Sequence, residues 1–208
     1  MKVIAINGSP RPDGNTAIAL GAMAEILKQE GIETELVQVG GQLIHDCIGC
    51  GYCKSSERNL CVFKGDLVEE TSLKMREADG IILGAPTYYA GVPGDMKAFL
   101  DRVFFSNMRY FKYKVGTVVA AVRRGGGVDV VHQLMNYFSL SETITPPSQY
   151  WTIVYGLAKG EALRDIEGMQ TVRKNARAMA WLLKVVDASK GKVPLPPEED
   201  HEFMHFIR

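Results

Sequence analysis

Lys2–Thr16, KVIAINGSPRPDGNT, runs from a strand-like apolar stretch straight into a loop of Gly, Pro and short polar residues. Val3, Ile4, Ala5 and Ile6 follow one another without alternation, as in a parallel strand covered on both faces. Ile18, Leu20, Met23, Ile26 and Leu27 then recur at near-helical spacing. A helix is therefore expected over Ala17–Gln29, with Asn15 or Thr16 as its cap. Strand, glycine-bearing loop and helix in that order is how an open α/β sheet begins.

Working outward, the same alternation repeats. Strands are expected at Glu33–Val39, Gly80–Ala85, Val115–Val122 and Tyr150–Tyr155. Helices are expected at Asp66–Ala78, Pro93–Phe105, Val128–Phe138 and Asp165–Val186, with Met96, Phe99, Leu100 and Val103 facing inward. Strands separated by helices give a parallel sheet with both faces covered. Five such strands suit the order 2-1-3-4-5, in which ligands bind at the carboxyl ends of the strands, where the order reverses. The organisation expected is one domain over residues 1–190 and a tail over 191–208. Pro194, Pro196 and Pro197 prevent that tail from being one helix. Its Phe203, Met204, Phe206 and Ile207 suit oligomer contacts better than solvent. His201 and His205 lie four residues apart, without an acidic partner motif, and read as surface residues.

Composition removes several classes. With 46% hydrophobic and 23% charged residues the chain is globular, not disordered. Twenty-four Lys+Arg balance 24 Asp+Glu, so no broad basic surface for nucleic acid or anionic membrane is expected. No apolar run reaches membrane-span length. The amino terminus lacks the apolar core and cleavage site of an export signal, so a cytoplasmic location is expected.

Three loops fall at one edge of the expected sheet. Gly8–Thr16 leads into a helix N-terminus, which favours an anion, and Ser9, Arg11, Asn15 and Thr16 add donors. It is neither a G-x-x-x-x-G-K-[ST] nor a G-x-G-x-x-G loop, and it contains no Lys. A terminal phosphate monoester suits it better than a triphosphate or pyrophosphate; the alternative is an ordinary capped turn. Pro86-Thr87-Tyr88-Tyr89-Ala90-Gly91 places two aromatics where a planar ring could lie, although one core and one surface Tyr would also explain them. Arg124-Gly125-Gly126-Gly127 removes side chains where a ligand could press on the backbone; a solvated flexible loop is the other reading. Their coincidence at adjacent strand ends favours a joint site.

The fourth feature is Cys47, Cys50, Cys53 and Cys61, spaced C-x2-C-x2-C-x7-C after the second strand. In a reducing compartment such a group is metal-binding or redox-active rather than disulfide-forming. Zinc commonly uses two separated C-x2-C pairs, so this spacing favours a [4Fe–4S] cluster. Buried or free thiols remain the alternative. If the segment stays beside the second strand, it lies across strand one from the strand-three loop.

On GSPRPDGNT, PTYYAGVPGDMKAFLDR, RRGGG and the cysteine motif, the sequence resembles the NAD(P)H-dependent FMN reductases. Within them it is most similar to the iron–sulfur flavoproteins of flavodoxin-like fold. The resemblance covers roughly residues 1–186 and implies a doubly wound five-stranded sheet with FMN as cofactor. It implies that Ser9, Arg11, Asn15 and Thr16 hold the FMN phosphate. Pro86, Thr87, Tyr88, Tyr89 and Gly91 would line the isoalloxazine, with Arg124, Gly125, Gly126 and Gly127 on its pyrimidine side. The four cysteines match the family's compact cluster motif. A nicotinamide or ferredoxin donor, a quinone or other small acceptor, and a homodimer or homotetramer are the expected partners. Chemistry would reside on the flavin, with no catalytic side chain required. The alternatives are a cluster-free quinone, FMN or azo-dye reductase, a flavodoxin-like electron carrier and a cysteine-based redox sensor.

Overall fold

The computed structural model describes residues 1–200, 202–204 and 206; His201, His205 and Ile207 of the expected tail lie outside them. In chain order the elements are β1 (Lys2–Asn7), α1 (Asn15–Gln29), β2 (Glu33–Gln38), α2 (Tyr52–Ser55) and α3 (Leu67–Glu77). They continue with β3 (Gly80–Pro86), α4 (Gly94–Phe111), β4 (Val115–Val122), α5 (Gly127–Leu140), β5 (Ile153–Tyr155) and α6 (Ile166–Ser189). A 3-10 turn at Glu161–Arg164 precedes α6. Pairing is parallel throughout, in the order β2-β1-β3-β4-β5 expected from the sequence.

Alternation along each strand feeds two separate cores. Ile4, Ile6, Ile81, Leu83, Val118 and Ala120 face α3, α4 and α5, where Met75, Phe99, Val103 and Leu134 meet them. Val3, Ala5, Ile82, Val119 and Ala121 face α1 and α6, against Leu20, Met23, Val172 and Met179. This two-sided burial is why the strands read as unbroken apolar runs. Met96, Phe99, Leu100 and Val103 are all buried, as their helical spacing predicts.

Several boundaries differ from the sequence reading. The cap of α1 is Gly14, and no side chain bonds the helix's first N–H groups. Asn15 is the first helical residue, and its amide reaches the 158–162 segment instead. Strand β5 is only three residues long, beginning at Ile153 rather than Tyr150. Helix α4 continues past Phe105 to Phe111, because Phe111 is buried and extends the apolar stripe. The described tail from Gly191 contains no helix or strand, and its Val193, Leu195, Phe203, Met204 and Phe206 are exposed. No helix among the described residues is long and apolar enough to cross a membrane.

Candidate functional site

The carboxyl ends of the strands bring the three loops together through close backbone approaches and a few side-chain amides. The amide of Gly8 donates to Gly84 O at 2.8 Å, joining the β1 loop to β3. A Cβ on Gly8 would lie 2.8 Å from Met96 Cγ, and one on Gly40 would lie 2.2 Å from the carbonyl carbon of Ser9. The β2 exit therefore presses directly on the start of the β1 loop. A polar network holds that contact. Buried Asn7 accepts from Ser9 N at 3.1 Å and donates to Gln38 Oε1 at 2.7 Å, and Gln38 Nε2 donates to Ser9 O at 2.6 Å and Gly40 O at 2.7 Å.

Within the β1 loop, Ser9 is buried and its Oγ accepts from Arg11 N at 3.2 Å. Arg11 is exposed, and Thr16 is buried in the first turn of α1. Asn15 has its side chain committed: Oδ1 accepts from Gly160 N (3.1 Å) and Ala162 N (3.2 Å), and Nδ2 donates to Ala158 O (2.9 Å). An ion pair between Asp13 and Lys159 closes the same contact from outside. The loop is thus clamped on both sides, and α1 presents a first turn free of side-chain caps. Such a helix end favours an anion through its N–H groups and dipole.

The β3 loop is a tight hairpin, which the sequence reading did not anticipate. Tyr88 and Gly91 exchange two backbone hydrogen bonds of 2.9 Å. Between them Tyr89 (φ 49°) and Ala90 (φ 58°) both occupy the left-handed region. Two-residue turns of this type usually carry Asn-Gly, so Tyr-Ala gave no turn signal. Non-glycine residues held there store strain of order 1–3 kcal/mol each and persist only where surrounding structure imposes them. That structure is the β4 loop and α5. Gly126 (φ 84°) leaves no room for a side chain against Ala90, whose Cα and Cβ would lie 2.8 Å away. Gln133 accepts from Val92 N at 3.2 Å and donates to Ala90 O at 3.3 Å. Tyr89 is fully exposed and Tyr88 half exposed, so two rings stand out from a rigid turn. Thr87 Oγ1, beneath them, is buried with no hydrogen-bond partner.

Pro86 ends β3 and Gly91 closes the hairpin. Arg124 is exposed and a Cβ on Gly125 would meet open space, whereas Gly127 is the first residue of α5, packed on Val122 and Ile153. Asn7, Gln38, Asp95 and Gln133 escaped sequence reasoning. Each acts through contacts distant in sequence; Asp95, for example, accepts from Gly41 N at 2.6 Å.

The cysteine segment does not remain beside β2. It folds over the helix that leaves the β3 loop. Cys47, Cys50, Cys53 and Cys61 ring one small cavity, which Ile48, Val62, Phe63 and Phe105 also line with Arg102. All four are free thiols. Among the described residues no group of three or more His, Cys, Asp or Glu is drawn together as around a single ion. Gly49 (φ 64°) and Gly51 (φ 72°) turn the chain back between the first three cysteines, a conformation glycine adopts at no steric cost.

Arg102 of α4 holds this segment. It is buried, and five acceptors meet its five N–H donors: Cys61 Sγ at 3.2 Å, His45 O at 3.2 Å, Phe63 O at 3.4 Å and both oxygens of Asp66. Burial opposes its charge, but Asp66 and Cys61 outweigh that, leaving its pKa above the ordinary value. Arg76 adds a second clamp, donating to Arg58 O (3.0 Å) and Asn59 O (2.9 Å). Burial pushes the Cys53 thiol up, while Cys50 is exposed. In metal-free protein, alkylation followed by peptide mass mapping should therefore modify Cys50 first and Cys53 last. A Cys53 that reacts as fast as Cys50 would contradict this packing.

Comparison with known proteins agrees with this geometry. Residues 1–157 match the NADPH-dependent FMN reductase family. An iron–sulfur flavoprotein of Methanocaldococcus jannaschii is 37% identical over 194 residues, covering 89% of this chain and 99% of that protein. One of Methanosarcina thermophila is 31% identical over 196 residues, covering 92% and 100%. Among solved structures, the NAD(P)H:acceptor oxidoreductase FerB of Paracoccus denitrificans superposes with a TM-score of 0.62 at 14% identity, covering 88% of this chain and 97% of that one, which speaks for the fold. The clamped β1 loop, the rigid β3 hairpin and the glycine-lined β4 turn thus sit on a chain that belongs to the NADPH-dependent FMN reductase family, as a flavin-dependent oxidoreductase of its iron–sulfur flavoprotein branch.

Proposed function

We propose that this protein binds FMN on the shelf formed by the β1, β3 and β4 loops and a [4Fe–4S] cluster on Cys47, Cys50, Cys53 and Cys61, and that it moves electrons between a nicotinamide or ferredoxin donor and a small acceptor such as a quinone. The observation that carries the flavin assignment is the buried, unpartnered Thr87 Oγ1. Thr87 sits at the foot of the hairpin with its methyl near the side-chain-free Gly126, and a polar ring edge would satisfy its hydroxyl. An unmet buried hydroxyl costs about 1–3 kcal/mol, so its presence beneath an open shelf fits a ligand that supplies the partner. The donor set fits the cluster: four thiols share one largely apolar cavity, with one thiol hydrogen-bonded to a guanidinium.

When bound, FMN would exchange electrons in pairs or singly and the cluster singly. The chain's own groups do the rest. The first turn of α1, with Ser9 and Arg11, would receive the terminal phosphate and fix one end of the cofactor. The locked Tyr88–Gly91 hairpin would set the ring plane without reorganising, since its turn is already held by Gly126 and Gln133. Arg124, exposed at the β4 loop, would stabilise negative charge on the reduced ring. Fixed charges and donors of this kind act through preorganisation.

The second reading is a cluster-free reductase, in which the four free thiols would be structural or redox-labile. A visible spectrum of anaerobically prepared protein, with iron counted per flavin, separates the two. Flavin bands at about 375 and 450 nm over a broad shoulder at about 400 nm, with about four irons, are expected. Flavin without iron would leave the cluster-free reading, and no flavin affinity would defeat both.

The β1 loop offers a second check. Replacing Gly40 by Ala forces a Cβ onto the Ser9 backbone, which can give way only by displacing the loop. Gly40→Ala should weaken FMN binding at least tenfold in a fluorescence titration of the apoprotein, or about 1.4 kcal/mol. An exposed control, Gly125→Ala, meets open space and should leave the protein fold unchanged by circular dichroism.

A further inference from the structure

Arg102 is engaged more fully than an anchoring role demands. Tying the segment to α4 needs only the carbonyls of His45 and Phe63 and the carboxylate of Asp66. The Nε–H is instead directed at Cys61 Sγ. Among the described residues no other side chain donates to a sulfur of the four cysteines. The side chain is buried, so its charge is poorly screened by solvent. Its guanidinium carbon also lies over the Phe63 ring, 5.3 Å from the ring centroid.

We propose that Arg102 sets the reduction potential of the metal centre held by Cys47, Cys50, Cys53 and Cys61, acting through Cys61 and balanced by Asp66. This rests on the four-cysteine cluster assigned above. Reduction adds one electron to the cluster and makes or breaks no bond, so the reduced form carries one more negative charge on the same ligands. A buried cation and an N–H donor on a ligating sulfur both favour that form and raise the potential. Asp66 acts in the opposite direction. It offsets the guanidinium charge and keeps Arg102 in place through two of its five donors. Arg102 is thus a positioning and tuning residue, one contact removed from the reacting electrons. The pair offers a test that a scaffold role would not pass, because removing the two charges should move the potential in opposite directions.

The experiment compares anaerobically reconstituted wild type, Arg102→Gln, Arg102→Lys and Asp66→Asn. Iron and sulfide are counted, and the cluster is titrated with dithionite under electron paramagnetic resonance. Arg102→Gln should make reduction at least tenfold less favourable, a shift of 59 mV to the negative for one electron. Arg102→Lys keeps the charge and should fall between Gln and wild type. Asp66→Asn retains an oxygen to cap α3 at Val68 N, so the helix start survives, and its potential should rise. The flavin potential should stay fixed in all four proteins.

Clusters that assemble with unchanged potentials, or Gln and Asn variants that shift in the same direction, would overturn the proposal. Should the Arg102 variants fail to fold, Asp66→Asn alone decides: a raised potential supports it, and an unchanged or lowered one defeats it. Absence of iron from the wild type after reconstitution would show instead that the four-cysteine reading itself had failed.

Discussion

Because β2, β1, β3, β4 and β5 run in the same direction, every strand but the last must be followed by a crossover, and every crossover leaves from the same edge of the sheet. Right-handed crossovers then divide the helices between the two faces. With β1 paired between β2 and β3, α1 returns on one side and α3, α4 and α5 on the other. The loops after β1, β3 and β4 must converge where that division occurs. Their positions follow from backbone pairing and core burial, with no contribution from ligand chemistry. The chemistry lies in what the loops omit. Gly40 and Gly126 let backbones touch where a Cβ would collide, and Gly8 leaves room for the Met96 side chain. This leaves the Tyr88 and Tyr89 rings on one side and the uncapped start of α1 on the other.

Helix α4 connects the two candidate redox sites. Its amino end begins just after the β3 hairpin, where Asp95 also accepts from Gly41 of the β2 loop. Two turns later Arg102 reaches the cysteine segment, and Phe105 lines the cavity beyond it. One helix therefore meets both the loop shelf and the thiols. A buried guanidinium with all its donors met is costly to disturb, since removing any acceptor leaves an unpaired charge in the interior. Through Arg102, α4 anchors a segment with little regular structure, only α2 within it.

Much of this was legible beforehand. Apolar runs, helical spacing and turn residues predicted the five strands, their order and the surrounding helices, because two-sided burial writes its pattern locally along the chain. Motif spacing marked the loops at Ser9, Thr87 and Gly126 and the four cysteines, because glycine and cysteine are chosen for properties of the residue itself. The length of α4 and the start of β5 were less legible. Capping and fraying there depend on neighbours such as Phe111 and the 158–162 segment, which no local pattern reveals.

Sequence alone determined the fold class, the edge of the sheet where the three loops gather and the residue types available there. Tertiary structure alone decided that Tyr89 and Ala90 form a strained hairpin and that Asn15 serves the loop before α6 instead of capping α1. It alone placed the cysteines against α4 through Arg102. Arg102 looks in the sequence like any other helical arginine, and only the enclosure of its charge by residues 45, 61, 63 and 66 distinguishes it. The physical reason is the same in each case. Burial and hydrogen bonding between distant residues are properties of the assembled neighbourhood, whereas periodicity and backbone freedom are properties of the chain.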